Sequence, residues 1–289
     1  MKKKRSKGGE GAVLSSLSGT GKVLNYIGMA VICFISLFPV IWVFISSLKA
    51  DPMAEPGFTL PSQICLDGYV GVFRDMHIMR YFFNSFKVAG LSVIFSIIII
   101  SMSAYVVARM DFKLKPLISA LLMSTLFIPA TAMTFPVYNL VNKLHINDSH
   151  AGLVLIYTCS GIAVSFMVIR NYFATIPKEL EEAARIDGCT YFQTFAKIMF
   201  PLVIPGVLTL AIFHLMQNWN DLLYPLMMTS STRMRTLSAG LALFVGEHAT
   251  TYYGPQLAGA LLSVLPLLVI YIFFQKYFIA SVATSGMKD

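Results

Sequence analysis

Six long apolar stretches constrain the fold of this chain more than any other feature of its sequence. They lie at about 24–48, 83–108, 116–140, 151–170, 201–228 and 255–280. A helix needs about 20 mostly apolar residues to cross a hydrocarbon core of about 30 Å, and each stretch meets that length. The mean hydropathy of +0.71 agrees, because a soluble domain has too little interior to hide so much apolar surface. The sequence therefore predicts an all-α membrane protein with six transmembrane helices.

The distribution of Lys and Arg predicts the orientation of those helices. If the N-terminus is cytoplasmic, seven of the 22 basic residues fall on the outer side and fifteen on the inner side. The outer residues are Lys49, Arg74, Arg80, Lys87, Lys143, Arg233 and Arg235. Since cytoplasmic segments carry an excess of Lys and Arg, both termini are predicted to be cytoplasmic. Basic residues beside spans favour the headgroups of membrane lipid, so the net charge of +8 is no reason to expect a nucleic-acid partner.

The segment 171–200 is the long excursion on the predicted cytoplasmic side, and it carries a charged helix. Pro177 suits the first turn of that helix, and Gly188 suits a left-handed stop about ten residues later. The positive end of the helix dipole receives three acidic residues, Glu179, Glu181 and Glu182. A short polar helix joined rigidly to spanning helices can transmit force from a soluble partner.

A second helix is predicted directly after Gly188. Thr190 and Gln193 have the spacing of a capping box, and the helix they open would run through Met199. Pro201 then marks the entry into the fifth span. The predicted order is therefore helix, glycine turn, helix, membrane.

The sequence contains no pattern for nucleotide hydrolysis. Gly19-Thr20-Gly21-Lys22 is the nearest approach to a phosphate-binding loop, but Ser16 stands where the first Gly is required and Val23 follows the Lys. The cysteines suggest no metal-ligand spacing either. We therefore expect no cofactor in this chain, and any energy from ATP has to come from a partner.

The inner segment matches a known signature. Glu182-Ala183-Ala184, three residues, Gly188, nine residues, Ile198, two residues and Pro201 resemble the EAA motif of ABC importer permeases. The one departure is Phe200, where that family usually has Leu before the Pro. Over about 23–289 the chain is similar to the six-span subunit of the maltose and multiple-sugar permease pair. Asn84-Ser85 at the second span and Asn218 to Asp221 in the fifth add to this similarity.

The resemblance implies a fold and a division of the chain. It implies an ABC type I importer permease (MetI-like) core at 83–275, with the EAA loop at 171–200 inside it. Before the core come a cytoplasmic basic tail, 1–22, and a first transmembrane helix with an extracellular loop, 23–82. A cytoplasmic tail, 276–289, follows the core. We expect the outer part of the second segment, about 49–82, to be an ordered but irregular loop because it contains three prolines.

The resemblance also implies an assembly. The partners would be a second permease subunit, two cytoplasmic ABC ATPase subunits and an extracellular substrate-binding protein, with a sugar or oligosaccharide as the substrate. The helix at 178–188 would seat in a cleft of an ATPase, and small Ala side chains would allow close approach. The residues expected to couple to the ATPase are Glu179, Glu182, Ala183, Ala184, Asp187 and Gly188. The last outer loop, about 229–254, would reach toward the binding protein.

The fifth span holds the candidate substrate path. Asp221 is the only acidic residue inside any predicted span, and an ionised carboxylate near the middle of a bilayer costs at least about 2.5 kcal/mol. It should therefore face the bundle interior or an interface. Asn218, Trp219, Asn220 and Tyr224 lie within two turns of it. This cluster suits sugar contact, and it equally suits interhelical hydrogen bonding or an outward gate.

Other functions make different predictions. A secondary carrier would have buried acids in symmetry-related spans, and one Asp221 without a visible repeat argues against it. An intramembrane enzyme would need a nucleophile or metal cluster at membrane depth, and no usable spacing is present. We therefore expect a non-catalytic permease in the plasma membrane of a bacterium. Within that class, a permease for another solute such as glycerol phosphate or an amino acid is the alternative to a sugar permease.

Overall fold

The computed structural model describes residues 19–53, 55, 57–247 and 253–285, and every regular element within those ranges is helical. The α-helices are α1 (Gly19–Ser47), α2 (Asp67–Asp75), α3 (Ile78–Arg109), α4 (Lys115–Ser124), α5 (Thr134–Lys143), α6 (His150–Cys159), α7 (Ile162–Thr175), α8 (Glu179–Ile186), α9 (Tyr191–Thr194), α10 (Phe200–Asn220), α11 (Leu223–Met228), α12 (Leu237–Glu247) and α13 (Tyr253–Ser285). The predicted all-α class is confirmed. Most of the predicted basic tail lies outside the described residues, and α1 begins within its last four positions.

Within the described ranges, four helices are long and apolar enough to cross a bilayer. They are Thr20–Ser47, Ile78–Arg109, Tyr191–Asn220 and Tyr253–Gln275. Two further candidates are bent pairs, Lys115–Phe127 with Ala130–Lys143 at 100° and His150–Cys159 with Ile162–Thr175 at 51°. The count reaches the predicted six if each bent pair is one span.

The two bent pairs correct the prediction of unbroken helices at 116–140 and 151–170. In the first, Ile128 is extended, as the residue before a proline prefers, and Pro129 starts a new 3₁₀ turn at Ala130–Met133. In the second, Gly161 adopts a left-handed conformation with φ of +68°. His214 of α10 packs against this glycine, and its Nε2 lies 2.8 Å from the hydroxyl of Ser165.

The fifth span both begins and ends earlier than the predicted 201–228. It runs from α9 through a π-helical turn, Phe195–Met199, into α10, and it ends at Asn220. Asp221 is extended, and α11 follows as a separate helix. Pro225 has no amide hydrogen for the carbonyl of Asp221, so an unbroken helix would leave that carbonyl without its partner.

Helix α9 opens with the predicted capping box. The Thr190 hydroxyl accepts from the Gln193 amide at 3.3 Å, and the Gln193 side chain accepts from the Thr190 amide at 2.9 Å. The predicted second inner helix is therefore the first turn of the long span itself.

Three apolar clusters form the core of the part of the chain that the structure describes, and α3 contributes to all of them. Ile100 and Tyr105 of α3 pack with α7 and α10, Tyr81 packs with α2, α10, α12 and α13, and Val88 packs with α5, α6 and α11. Helix α1 packs on α13 and leaves most of its apolar side chains exposed, as a helix facing lipid does. Helix α3 is thus the central element of the described fold.

The segment 49–82 holds more regular structure than the predicted irregular loop. It contains all of α2 and the first turn of α3. Helix α2 lies so close to the start of α13 that a Cβ at Gly68 would come within 2.8 Å of the carbonyl carbon of Gly254. Gly68 is needed for this approach, because a backbone neighbour cannot rotate away as a side chain can, whereas a Cβ at Gly254 would make only ordinary contact at 3.5 Å.

We expect Gly68→Ala to lower the free energy of unfolding by about 1–3 kcal/mol, the usual cost of forcing a methyl group into a filled contact. The matched control is Gly90→Ala in α3, where a Cβ meets nothing within 4 Å. Because Ala is the better helix former, the control should be neutral or slightly stabilising. Denaturation of both purified variants in detergent measures the difference, and equal stabilities would contradict the close approach of α2 and α13.

Candidate functional site

Helix α8 occupies the centre of the predicted inner segment. It is eight residues long, slightly shorter than expected, and its first turn carries the three predicted acidic residues. Gly188 has φ of +78°, as predicted for a left-handed stop. The Cys189 amide donates to the carbonyl of Ala184 at 2.9 Å and the Gly188 amide to that of Arg185 at 3.0 Å, which together form a Schellman motif. The helix is therefore capped firmly at its C-terminal end.

The side chains of α8 divide between two faces. Glu181 and Ala184 are buried in the chain itself, with exposed fractions of 7% and 2%. The opposite stripe consists of Glu179, Glu182, Ala183 and Ile186, all exposed, at positions i, i+3, i+4 and i+7. We call these four residues the docking face. Asp187 and Gly188, which follow the helix, are exposed as well.

This division separates the predicted coupling residues. Ala183 lies on the docking face, as the prediction of close approach by a partner requires. Ala184, by contrast, packs inward, where its small size lets α8 lie close to its own chain. Ile186 was not among the predicted residues, although its side chain is 86% exposed. Its spacing from Glu179, Glu182 and Ala183 is the signal by which the sequence could have identified it.

The buried face of α8 lies against α9 and the π-helical turn, and an ion pair joins it to the C-terminal end of α3. Arg109 Nε lies 3.2 Å from Glu181 Oε1, and the two side chains are 4% and 9% exposed. The guanidinium of Arg109 also donates a hydrogen bond to the carbonyl of Ile176, just before α8. Sequence reasoning missed this pair, because nothing in a single sequence indicates that residues so far apart meet.

An aromatic cluster lies beside this ion pair. The ring of Tyr105, one turn before Arg109 in α3, contacts Phe173 of α7 with centroids 5.5 Å apart and Phe195 of the π-helical turn at 5.3 Å. Phe195 in turn contacts Phe192 and Phe200. The cluster joins α3, α7 and the fifth span at the end of the molecule that carries α8.

Asp221 holds the break between α10 and α11. Its carboxylate accepts from the amides of Leu223 and Tyr224, both at 3.3 Å, and from the hydroxyl of Tyr157 in α6 at 2.7 Å. The first two contacts cap α11, and the third ties it to α6. These contacts give Asp221 a structural role at the break between α10 and α11.

The other predicted path residues are dispersed. Trp219 is 3% exposed, donates to the carbonyl of Ser263 at 3.2 Å and meets Phe82 edge-on, so its ring is part of the core. Asn218 is buried, whereas Asn220 is exposed and Tyr224 is partly buried. The structure therefore does not bring these residues together around one cavity.

A polar turn at 229–236 lies at the other end of α3, about 37 Å along the helix from Arg109 at about 1.5 Å per residue. The Asn84 side chain donates to the carbonyls of Arg233 at 2.9 Å and Arg235 at 2.8 Å. The hydroxyl of Ser85 accepts from the Leu237 amide at 2.8 Å. Asn84 and Ser85, which the sequence offered only as part of a resemblance, thus fasten this turn to α3.

Asp148, in the loop between α5 and α6, fastens the same turn from a second side. Its Oδ1 accepts from the amide of Ser230 and from the amide and hydroxyl of Ser231, each at 3.0 Å. Partial burial raises the pKa of this carboxyl, but these hydrogen bonds lower it more, so the pKa lies below its ordinary value of 3.8. The carboxylate is therefore ionised near neutral pH.

We expect Asp148→Ala to lower the free energy of unfolding by about 1–2 kcal/mol, because hydrogen bonds to a charged group are lost. Asp148→Asn is the control and should lose less, since it keeps an acceptor oxygen. Because the folded pKa is lowered, the stabilisation persists above 3.8 and disappears as the pH falls through the lowered value. Thermal unfolding in detergent against pH tests this, and a wild-type minus Ala difference that grows with acid would contradict it.

Comparisons with known proteins agree with this architecture. Residues 96–284 match the family described as binding-protein-dependent transport system inner membrane component. The arabinooligosaccharides transport system permease protein AraQ of Halalkalibacterium halodurans is 34% identical, over 93% of this chain and 98% of its own. The sulfoquinovosyl glycerol transport system permease protein SmoH of Agrobacterium fabrum is 32% identical, over 93% and 95%.

A solved structure shares the fold. It is a bacterial ABC transporter involved in the import of the acidic polysaccharide alginate, and a chain of it superposes with a TM-score of 0.78 at 21% identity, covering 95% of this chain and all of its own. The family match spans more than half of the sequence, and it includes α8, the aromatic cluster and the Asp221 break. The chain therefore belongs to the family of inner membrane components of binding-protein-dependent transport systems, and it is a multi-pass permease of the plasma membrane.

Proposed function

We propose that this chain is the non-catalytic permease subunit of an ATP-driven sugar importer, and that the docking face of α8 receives the movement of a partner ATPase. The full assembly would contain a second permease, two cytoplasmic ATPase subunits and an extracellular binding protein. In this arrangement both termini and α8 are cytoplasmic, and the 229–236 turn is extracellular.

The observation that carries this proposal is the docking face itself. Ile186 is a large apolar side chain that is almost fully exposed, on a helix whose other side is buried in the chain. A polar loop that only meets water has no reason to present such a residue beside Glu182 and Ala183. An exposed apolar anchor with a charged rim is the usual pattern of a surface that another protein covers.

Individual roles follow from position. Glu182 and Glu179 are placed to meet basic or polar groups of the ATPase, Ala183 leaves room for its backbone, and Ile186 fills an apolar pocket. Asp187 and Gly188 end the helix and lie at the edge of the same surface. Ala184 contributes indirectly by keeping α8 close to the rest of the chain. Among the predicted path residues, Asp221 holds the α10–α11 break, and we assign it a structural or gating role there. The other members of that set are Asn218, Trp219, Asn220 and Tyr224.

We expect Glu182→Lys and Ile186→Asp each to reduce binding-protein-stimulated ATP hydrolysis by at least about tenfold, the effect of losing a central interface residue. Asp111→Lys is the matched control for Glu182→Lys, because both replace a carboxylate by an ammonium group, and Asp111 is exposed at the same end of the molecule. Its stimulation should stay near that of the wild type. The measurement is the ATPase rate of the reconstituted importer, and full stimulation in both docking-face variants would overturn the proposed role of α8.

The substrate class rests on the relatives. Besides AraQ, they include the trehalose/maltose transport system permease protein MalG of Thermococcus litoralis, 29% identical over 92% of this chain. The chain is therefore similar in sequence to permeases named for oligosaccharides and disaccharides, and a neutral sugar is the substrate we propose. The relative named for sulfoquinovosyl glycerol keeps an anionic glycoside as the second candidate.

The binding protein decides the substrate. We expect the binding protein that works with this permease to bind at least one of trehalose, maltose, raffinose or an arabinooligosaccharide, with heat released in a calorimetric titration. The same sugar should stimulate ATP hydrolysis by the reconstituted importer. Glycerol phosphate is the control ligand and should do neither. Stimulation by glycerol phosphate alone would replace the sugar assignment with the phosphate one.

A further inference from the structure

We propose that Arg109 and Glu181 are positioning residues for coupling: their buried ion pair fixes the rotation of α8 so that the docking face points outward, and it ties any movement of α8 to α3. This inference rests on the proposed function of α8. It assigns a role to two residues that lie outside the docking face and are buried within the chain itself.

The burial of the pair is the first observation. Both side chains are more than nine-tenths buried, whereas the ion pairs Arg74–Asp75 and Lys115–Asp111 involve exposed side chains. Taking two charges out of water is costly, and well-packed apolar residues would hold two helices together as well or better. The pair is therefore poorly explained by stability alone. Its Nε and Oε1 atoms lie 3.2 Å apart without a hydrogen bond, so what the pair adds is a charge attraction between one specific residue of α3 and one of α8.

The second observation is that the Arg109 guanidinium makes two contacts near the start of α8. Its guanidinium contacts the carbonyl of Ile176 before α8 and the carboxylate of Glu181 within the first turn of α8. Two contacts on a planar, rigid group hold the start of the helix at two points. The aromatic cluster alone would not do this, because apolar rings permit sliding and rotation.

Glu182 is an alternative partner for Arg109, and pairing with it would rotate α8. Glu181 and Glu182 are adjacent, so replacing one by the other as the partner of Arg109 would rotate α8 by about 100°. That rotation would turn Glu182 inward and remove it from the docking face. The inward-facing residue one turn later would also change. With Glu181 inward that residue is Ala184, whereas with Glu182 inward it would be Arg185, which would bring a second cation toward Arg109. Small Ala184 and charged Arg185 thus select Glu181 as the partner.

The ion pair connects α8 to a helix that reaches the opposite end of the molecule. Arg109 is the last residue of α3, and the same helix holds the 229–236 turn through Asn84 and Ser85 at its other end. Helix α8 also contacts α9 and the π-helical turn at the start of the fifth span. The ion pair adds a second route, by which a displacement of α8 reaches α3, a helix that extends across the molecule.

The variants separate charge from size. Glu181→Gln keeps the side-chain volume and removes the charge. The double variant Arg109→Glu with Glu181→Arg reverses the two charges. Arg109→Lys keeps a cation at this position, and Arg109→Gln removes it. The control is Asp111→Asn, which removes an exposed carboxylate from the same end of the molecule. All are assembled with the partner subunits, with trehalose, maltose and raffinose tested in turn as probe solutes.

The first readout is the amount of solute transported per ATP hydrolysed in proteoliposomes. We expect Glu181→Gln to lower this ratio by about tenfold, within the range that contacting pairs show in double-mutant cycles. The KM for ATP should not change, because the pair does not touch nucleotide. The reversed pair should recover most of the ratio. If the reversed pair does not assemble, Arg109→Lys should transport more per ATP than Arg109→Gln, and equal ratios for those two would overturn the proposal.

The second readout reports the orientation of α8 without the ATPase. Spin labels are placed on native Cys189 and on Lys113→Cys, with Cys33, Cys65 and Cys159 replaced by Ser, and their distance distribution is measured in the full-length chain. We expect a narrow distribution for the wild type and for Asp111→Asn, and a broad one for Glu181→Gln. A narrow distribution for Glu181→Gln would overturn the positioning role.

The two proposals fail in different ways. If Glu182→Lys uncouples the importer while Glu181→Gln transports normally, the docking face stands and the positioning role of the ion pair is wrong. If Glu182→Lys is also fully coupled, the proposed function of α8 is wrong and the inference that rests on it falls with it.

Discussion

The backbone of a chain made of apolar spans has to satisfy its own hydrogen bonds, because hydrocarbon offers none in exchange. That constraint makes every described element helical, and it also decides how a span can break. Where α10 ends, the carboxylate of Asp221 accepts the amides that start α11. Where α6 ends, glycine at 161 permits the left-handed turn into α7. Each break is thus held by a specific residue, and the bent spans are defined structures.

Helix α3 connects the two ends of this permease. One end carries Arg109, which holds α8, and the other carries Asn84 and Ser85, which hold the 229–236 turn. Because α3 also contributes to all three apolar clusters, it cannot move without the rest of the core. In the proposed importer this is the helix through which events at the ATPase and at the binding protein would reach each other.

The sequence predicted the local features of the inner segment but not its long-range contacts. Helix α8, its acidic first turn, its stop at Gly188 and the capping box at Thr190 follow from local rules, and the structure confirms them. The partner of Glu181 does not follow from such rules, since Arg109 lies in another span. The same applies to Trp219, for which the sequence left sugar contact and a structural role open, and whose contact with Phe82 appears only in the tertiary structure.

The sequence by itself determined the class of fold, the number of apolar stretches and the local structure of the inner segment, because hydropathy and capping act within a few residues. Only the tertiary structure decided which face of α8 is outward, which spans are broken and what Asp221 and Asp148 hold. Those outcomes depend on contacts between residues far apart in the chain. A charge or a ring acquires its role only when packing selects its neighbour.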